Sequence, residues 1–331
     1  MLCALTLSAI SKRNTAVLTE PLYLAVEIGG TKQQLCIGTA DGTILKSRSV
    51  RLGDVSAVEI LSWLELNIRQ LLDEYSCSGI GVGFGGPLET AAGRVLSSLQ
   101  VPGWLDFALK DWFTERFPIP VFIANDTFTG GLGELYAGAG QGCDRLFYTN
   151  IGTGIGGGLY LDGKGYDGCG FGAPYLGNTL VPDWTASQPG ACTRMELLCS
   201  GRSIARRLST PGYVPTDSVL SSMGPVLSAV ELGEAVSKGD RFAGEELDRI
   251  VESFSIALTN LLAITGVTRI VIGGGVAKLG DMLFDRICAR CAALDFIANH
   301  DRYEIVPSQL LDNAVPVGAL LLAAKGQALF F

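Results

Sequence analysis

From residue 22 the chain falls into apolar runs punctuated by glycine pairs. The stretch "LYLAVEIGGTKQQLCIGTADGTILKSRSVRL" (22–52) reads as three strands, joined at Gly29-Gly30 and at Asp41-Gly42, the latter a strong hairpin signal. Residues 54–75 change to a helical period, with Val58, Leu61, Leu64 and Ile68 expected on one buried side. "GIGVGFGGP" (79–87) predicts a strand ending in a glycine turn, and "WLDFALKDWFTERF" a helix stopped by Pro118 and Pro120. "VFIA" (121–124) predicts a short buried strand running into Asn125-Asp126.

The pattern then restarts. "DRLFYTNIGTGIGGGLYLDGKGYDG" (144–168) is again strand, glycine turn, strand and Asp-Gly turn, roughly 120 residues after the first such unit. Two halves that open alike suggest duplication of a βββαβα unit, giving an α/β protein of two domains that face each other across a ligand-binding cleft. Helices are expected near 194–208 and 240–265, and strand, three glycines and helix over 269–294. The expected division is an N-terminal extension over 1–21, a first domain over 22–124, a larger second domain over 125–312, and a C-terminal helix within 313–331 that packs back on the first domain. The extension "MLCALTLSAISKRN" is apolar before it is basic, the wrong order for a signal peptide.

Composition narrows the functions. With 331 residues, 48% of them hydrophobic, two sizeable cores are within reach. A net charge of −8 argues against general affinity for nucleic acid or an anionic membrane, and leaves room for a small anion held locally by backbone amides. The apolar run "AVPVGALLLAA" is too short to span a bilayer. Nine scattered cysteines read as buried, unpaired thiols in a reducing cytoplasm. The single histidine, His300, excludes HExxH and histidine-rich zinc sites; a Ser-His-Asp triad would depend on it, and no GxSxG accompanies it.

Residues 152–157 ("GTGIGG") and 81–86 ("GVGFGG") both match GxGxxG, but a strand follows the first and Pro87 the second, so neither has the helix that a dinucleotide fingerprint needs. Turn geometry alone would account for one such glycine hairpin. Two, with Thr31 and Thr153 each adding a hydroxyl, fit better as a pair of turns whose bare amides grip phosphate oxygens.

At this point the chain resembles the ROK family of sugar kinases and repressors, in the actin/hexokinase-like superfamily, from about residue 22 onward. "VEIGGTK" looks like that family's first phosphate motif, with Gly29, Gly30, Thr31 and Lys32. "NIGTGIGGG" looks like its second, with Gly152, Thr153 and Gly154, and "IVIGGGVA" like its adenosine segment, with Gly274, Gly275 and Val276. The resemblance implies the two-domain actin-like ATPase/hexokinase fold and transfer of the γ-phosphoryl group of ATP to a hexose-type sugar, most readily at a primary hydroxyl. Asp126 would be the catalytic carboxylate, and it also suits an N-cap of the helix that follows. Gly86, Gln100, Asn125, Asp126, Tyr175, Asn178 and Glu196 would meet the sugar, and Glu27 would help to place Mg²⁺ where the family has an aspartate. Tyr175 and Asn178 stand where the family has an acidic residue and a histidine. The cysteine-rich zinc segment has shrunk to "GACTRMELLCSG", too few ligands for a structural site, so no zinc is expected. The family often forms dimers. A sugar-binding or regulatory protein of the same family, with altered or lost catalysis, is the alternative. Only about twenty residues precede the first strand, fewer than the helix-turn-helix domain of the family's repressors, so nucleic acid is not an expected partner.

Overall fold

The computed structural model describes residues 20–331 except Thr31, Leu52, Asp54, Leu99, Gln100 and Ala173. The expectations for most of the extension, for Thr31 and for Gln100 therefore lie outside the described residues.

Strands β1 (Leu22–Ile28), β2 (Lys32–Thr39) and β3 (Ile44–Arg51) form an antiparallel meander. Helix α1 (Ala57–Glu74) follows, then β4 (Cys77–Phe84). Next come the short strands β5 (Leu88–Glu89), β6 (Arg94–Val95) and β7 (Phe107–Ala108), which pair with one another, then α2 (Leu109–Arg116) and β8 (Val121–Asn125). The first sheet has the order β3-β2-β1-β4-β8. Helix α2 is shorter than its sequence suggested, because Phe107 and Ala108 pair with β6 instead of joining the helix.

Helix α1 opens on a reciprocal capping box between Ser56 and Glu59 and buries Ala57, Ile60, Leu64, Ile68 and Leu71. Leu64 and Ile68 are buried as expected, but in the first turn the inner positions are Ala57 and Ile60 rather than Val58 and Leu61. Val58 is 70% exposed, since Ala57 and Ile60 take the inner face and close against Val26, Ile37 and Val82.

Helix α3 (Asp126–Ala137) leads to the second sheet: β9 (Arg145–Ile151), β10 (Ile155–Leu161), β11 (Lys164–Tyr166), β14 (Arg269–Gly273) and β15 (Glu304–Pro307), in the order β11-β10-β9-β14-β15. Between β11 and β14 lie the hairpin of β12 (Leu180–Pro182) and β13 (Cys192–Arg194), then α4 (Glu196–Cys199), α5 (Gly201–Leu208), α6 (Ala229–Ser237) and α7 (Arg241–Thr265). Helix α8 (Asp281–Leu294) separates β14 from β15, and α9 (Ala314–Lys325) ends the order. The second core gathers Phe147, Ile151, Ile270 and Ile272 against Leu258 and Leu262 of α7 and Ile287 of α8.

Helix α9 packs on α3 and lies over β1 and β4. A Cβ at Gly318 would collide with the carbonyl of Thr129, so only glycine permits α3 and α9 to cross this closely. The lead-in to α9 is fixed by Glu134 of α3, which is fully buried and accepts hydrogen bonds from Ser308 Oγ and from the amides of Leu310 (2.9 Å) and Ala139 (2.7 Å). All eight described cysteines are unpaired. Cys36, Cys199 and Cys291 are buried as expected, whereas Cys169, Cys192 and Cys288 are exposed, so burial does not hold for all of them.

Candidate active site

The site is organised around the first turn of α3. The cap falls on Asn125, not on Asp126: Asn125 Oδ1 accepts the amides of Thr127 (2.9 Å) and Phe128 (3.2 Å). Asp126 is thereby the first helical residue. Its Oδ1 accepts the Thr127 amide at 2.7 Å, and Oδ2 faces the first hairpin, where a Cβ on Gly85 would stand 3.0 Å from it and 3.6 Å from the Cα of Gly29. Burial pushes the Asp126 carboxyl up to about 6, against the hydrogen bonds from Thr127 that lower it.

The second hairpin meets the adjacent residue. Thr127 Oγ1 donates to Asn150 Oδ1 at 3.1 Å, and the same oxygen accepts the amide of Gly156 at 3.1 Å. Gly85 thus stands between Asp126 Oδ2 and Gly29 of the first turn, while the second hairpin bonds directly to Thr127. Among the described residues the amides of Gly30, Thr153 and Gly154 enter no hydrogen bond, which leaves donors for an anion beside the positive end of α3. Gly274 flanks the second turn with φ of 89°, and a Cβ there would lie 2.7 Å from the backbone of Ile151. Gly275 is exposed, and Val276 is buried with its side chain towards Gly201.

In the first hairpin the Gly29 amide bonds to Lys32 O at 3.1 Å. Lys32 Nζ lies 2.8 Å from Glu27 Oε2, donates to Gln34 Oε1 at 2.8 Å and reaches the backbone oxygen of Asp312 at 3.3 Å. Burial raises the Glu27 carboxyl to about 7, with Lys32 opposing and the charges of Asp126 and Asp312 adding to the rise. The Asp312 carboxylate pairs with Lys278 at 3.1 Å, so Asp312, through its carboxylate and its backbone oxygen, bridges the segment after Gly274 and the first hairpin.

On the sugar side, the Asn125 amide also donates to Gly86 O at 3.2 Å. Its carbonyl oxygen is spent on the cap and one N–H on Gly86, so little of it is free to hold a hydroxyl as expected. Tyr175 lies beside Asn125: a Cβ on Gly172 would be 3.0 Å from its hydroxyl and 3.6 Å from the Asn125 Cβ. Burial pushes that phenol up to about 12. Asn178 is exposed, in a turn after Tyr175. Glu196, expected at the sugar, uses Oε2 to accept the Ile155 amide of the second hairpin at 2.7 Å. The Thr90 amide donates to Gly170 O at 2.9 Å, joining the loop before Tyr175 to the first sheet's side of the molecule.

Thr127 and Asn150 carried no assigned role in the sequence, although Asn150 opens the motif "NIGTGIGGG" and Thr127 follows Asp126. Asp312, Lys278 and Glu134 carried no signal; Lys32 and Asp312 are 280 residues apart in sequence. Zinc does not fit the residues present: Cys192 is exposed, the Cys199 thiol points to Ile250 O, and Glu196 is engaged with Ile155. Among the described residues no three His, Cys, Asp or Glu side chains are grouped to hold a metal ion, and no helix is long and apolar enough to cross a membrane.

Comparison with known proteins agrees with this architecture. The chain is 31% identical to a glucokinase of Halalkalibacterium halodurans, over 80% of this chain and 83% of that protein. It is 25% identical to a xylose repressor of Caldicellulosiruptor bescii, over 76% of this chain and 64% of the repressor. The crystal structure of a ROK family glucokinase from Streptomyces griseus, in complex with glucose and AMPPNP, superposes with a TM-score of 0.77 at 25% identity, covering 92% of this chain and all of that one. The fold is thus the actin-like ATPase/hexokinase fold, and with residues 23–326 matching its pattern the chain belongs to the ROK family.

Proposed function

We propose that this protein is an ATP-dependent sugar kinase that phosphorylates a hydroxyl of a hexose or a close analogue. The observation that carries this is the gathering of both glycine hairpins at the first turn of α3: Asp126 Oδ2 faces Gly85, next to Gly29, with no hydrogen bond among the described residues, and Thr127 bonds to Asn150. The glucokinase relatives support it. We take residues 22–124, with the helix after 313, as one lobe and 125–312 as the other, and the space between them as the substrate cleft.

In this reaction the sugar hydroxyl donates a hydrogen bond to Asp126 Oδ2. Its oxygen attacks the γ-phosphorus of Mg·ATP, the bond to the β-phosphate oxygen breaks, and the hydroxyl proton passes to Asp126. The Thr127 amide holds Oδ1 and so fixes the direction of Oδ2. The free amides of Gly30, Thr153 and Gly154 supply donors to phosphate oxygens, while Gly274, Gly275 and Val276 border the adenosine. Mg²⁺ enters as part of the nucleotide substrate, and Glu27 is the carboxylate of the first hairpin suited to a metal-bound water. Gly86, Asn125 and Tyr175 form the sugar wall.

The test is ADP release by purified protein with Mg·ATP across hexoses, hexosamines and N-acyl hexosamines. At least one sugar should stimulate turnover. Sugar binding without turnover across that panel would favour a regulatory protein instead.

A further inference from the structure

The segment between Thr179 and Gly201 brings Glu196 to the second hairpin without any metal ligand set. What holds it is a buried ion pair. Arg207 of α5 and Glu246 of α7 are 10% and 0% exposed, and they meet at 2.7 Å. Tyr213 donates its hydroxyl to the second oxygen of Glu246 at 2.7 Å. The guanidinium lies 4.6 Å from the ring centre of Trp184, whose Nε1 donates to Ser253 Oγ of α7 at 3.0 Å. Arg249 also reaches Glu246, but only at 3.9 Å and from a half-exposed position, so Arg207 cannot swing away without leaving this buried carboxylate poorly compensated.

From Arg207 the contacts run to the glycine turn. Arg207 Nη1 donates to Leu198 O at 2.9 Å, which fixes the short helix α4. Ser203 Oγ donates to Glu196 O at 3.0 Å. Glu196 Oε2 accepts the Ile155 amide at 2.7 Å, and the Gly201 amide donates to Gly152 O at 2.8 Å. The turn Gly152–Gly154 has almost no side chains of its own with which to hold a shape. These two bonds flank it and fix the direction of the free amides of Thr153 and Gly154.

We propose that a metal-free clamp, Glu246–Arg207 stacked on Trp184, holds α4 in place, and that Arg207 and Glu196 act through it as positioning residues for the second phosphate hairpin. Its functional arm rests on the sugar-kinase reading above; its structural arm does not.

The experiment compares amide hydrogen exchange at Ile155 and half-saturation by Mg·ATP in four proteins: the wild type, Glu196→Ala, Glu196→Gln, and the paired Arg207→Met/Glu246→Leu variant, which replaces the ions with apolar groups of similar size. Ile155 exchange should rise about tenfold in Glu196→Ala and in the paired variant, and stay near wild type in Glu196→Gln, which keeps an acceptor oxygen. Half-saturating Mg·ATP should rise at least about fivefold in the first two while the sugar KM stays within about twofold. Dialysis against a zinc chelator should leave Ile155 exchange unchanged. If the paired variant does not fold, Trp184→Phe, which removes the bond to Ser253, takes its place. Unchanged Ile155 exchange in Glu196→Ala or in the clamp variant, exchange that rises on chelation, or a selective rise in sugar KM would each overturn the proposal. A wild type without turnover would sink the kinase reading and leave the exchange results to decide the clamp.

Discussion

Glu27 and Lys32 face each other across the first glycine turn, 2.8 Å apart, in a position largely closed to water. Burial lifts Glu27 to about 7, above its ordinary 4.5, so near neutral pH it is only partly ionised. Replacing it by glutamine leaves Lys32 with Gln34 and the Asp312 carbonyl. Glu27→Gln should lower kcat/KM for Mg·ATP by about tenfold, with the sugar KM nearly unchanged, in steady-state assays that vary each substrate in turn.

Asp126 makes two opposed predictions. As the group that receives the hydroxyl proton, its replacement by asparagine should reduce kcat by about a hundredfold or more and leave nucleotide affinity nearly unchanged. An equal loss of nucleotide binding would mark Asp126 as structural. Because burial holds its folded pKa near 6, above the usual 3.8, kcat/KM should climb as pH rises through about 6. The same shift sets stability. The folded state binds the proton more tightly than the unfolded state, so the contribution is fully present below 3.8 and is lost as pH rises through about 6. Asp126→Asn should therefore melt higher than the wild type at pH 8, by about 2 °C or more, with the difference gone near pH 4 in a thermal scan.

Gly274 occupies backbone that favours glycine and stands against Ile151. Gly274→Ala should lower Tm and push the second hairpin out of place. Nucleotide binding measured by calorimetry should weaken more than sugar binding, and an alanine variant with unchanged nucleotide affinity would refute the packing argument.

Asn125 caps α3 and ties it to Gly86. Asn125→Ala should cost about 1 kcal/mol in denaturant unfolding and lower kcat as well, because Asp126 loses the turn that orients it. Asn125→Asp keeps the cap acceptor but turns a carboxylate oxygen towards the carbonyls of Phe84 and Gly86, so it should recover only part of the stability.

Much of this was legible in the sequence, and particular residues show why the rest was not. The hairpins at Gly29 and Gly152 are local, so residue type and spacing announce them. The inner face of α1 was right at Leu64 and Ile68 and misplaced only in its first turn, because Val58 and Ile60 are equally apolar and only contact with the sheet decides which one is buried. The hydrogen bond from Ile155 to Glu196 had no sequence signal, because a motif gives a residue's place in the chain and only packing brings it to the second hairpin. Asp312 was invisible for a related reason: the lysines it serves come from distant parts of the sequence.

Helix α9 covers the face of β1 and β4 that bears Ala25 and Gly81, and its approach is clamped by Glu134. A ribosome delivers β1 first and α9 last. The opening strands must therefore wait, one face bare, while nearly three hundred further residues emerge. Nascent chains of this protein should need shielding at that surface, and a stall before residue 314 should leave them prone to clumping.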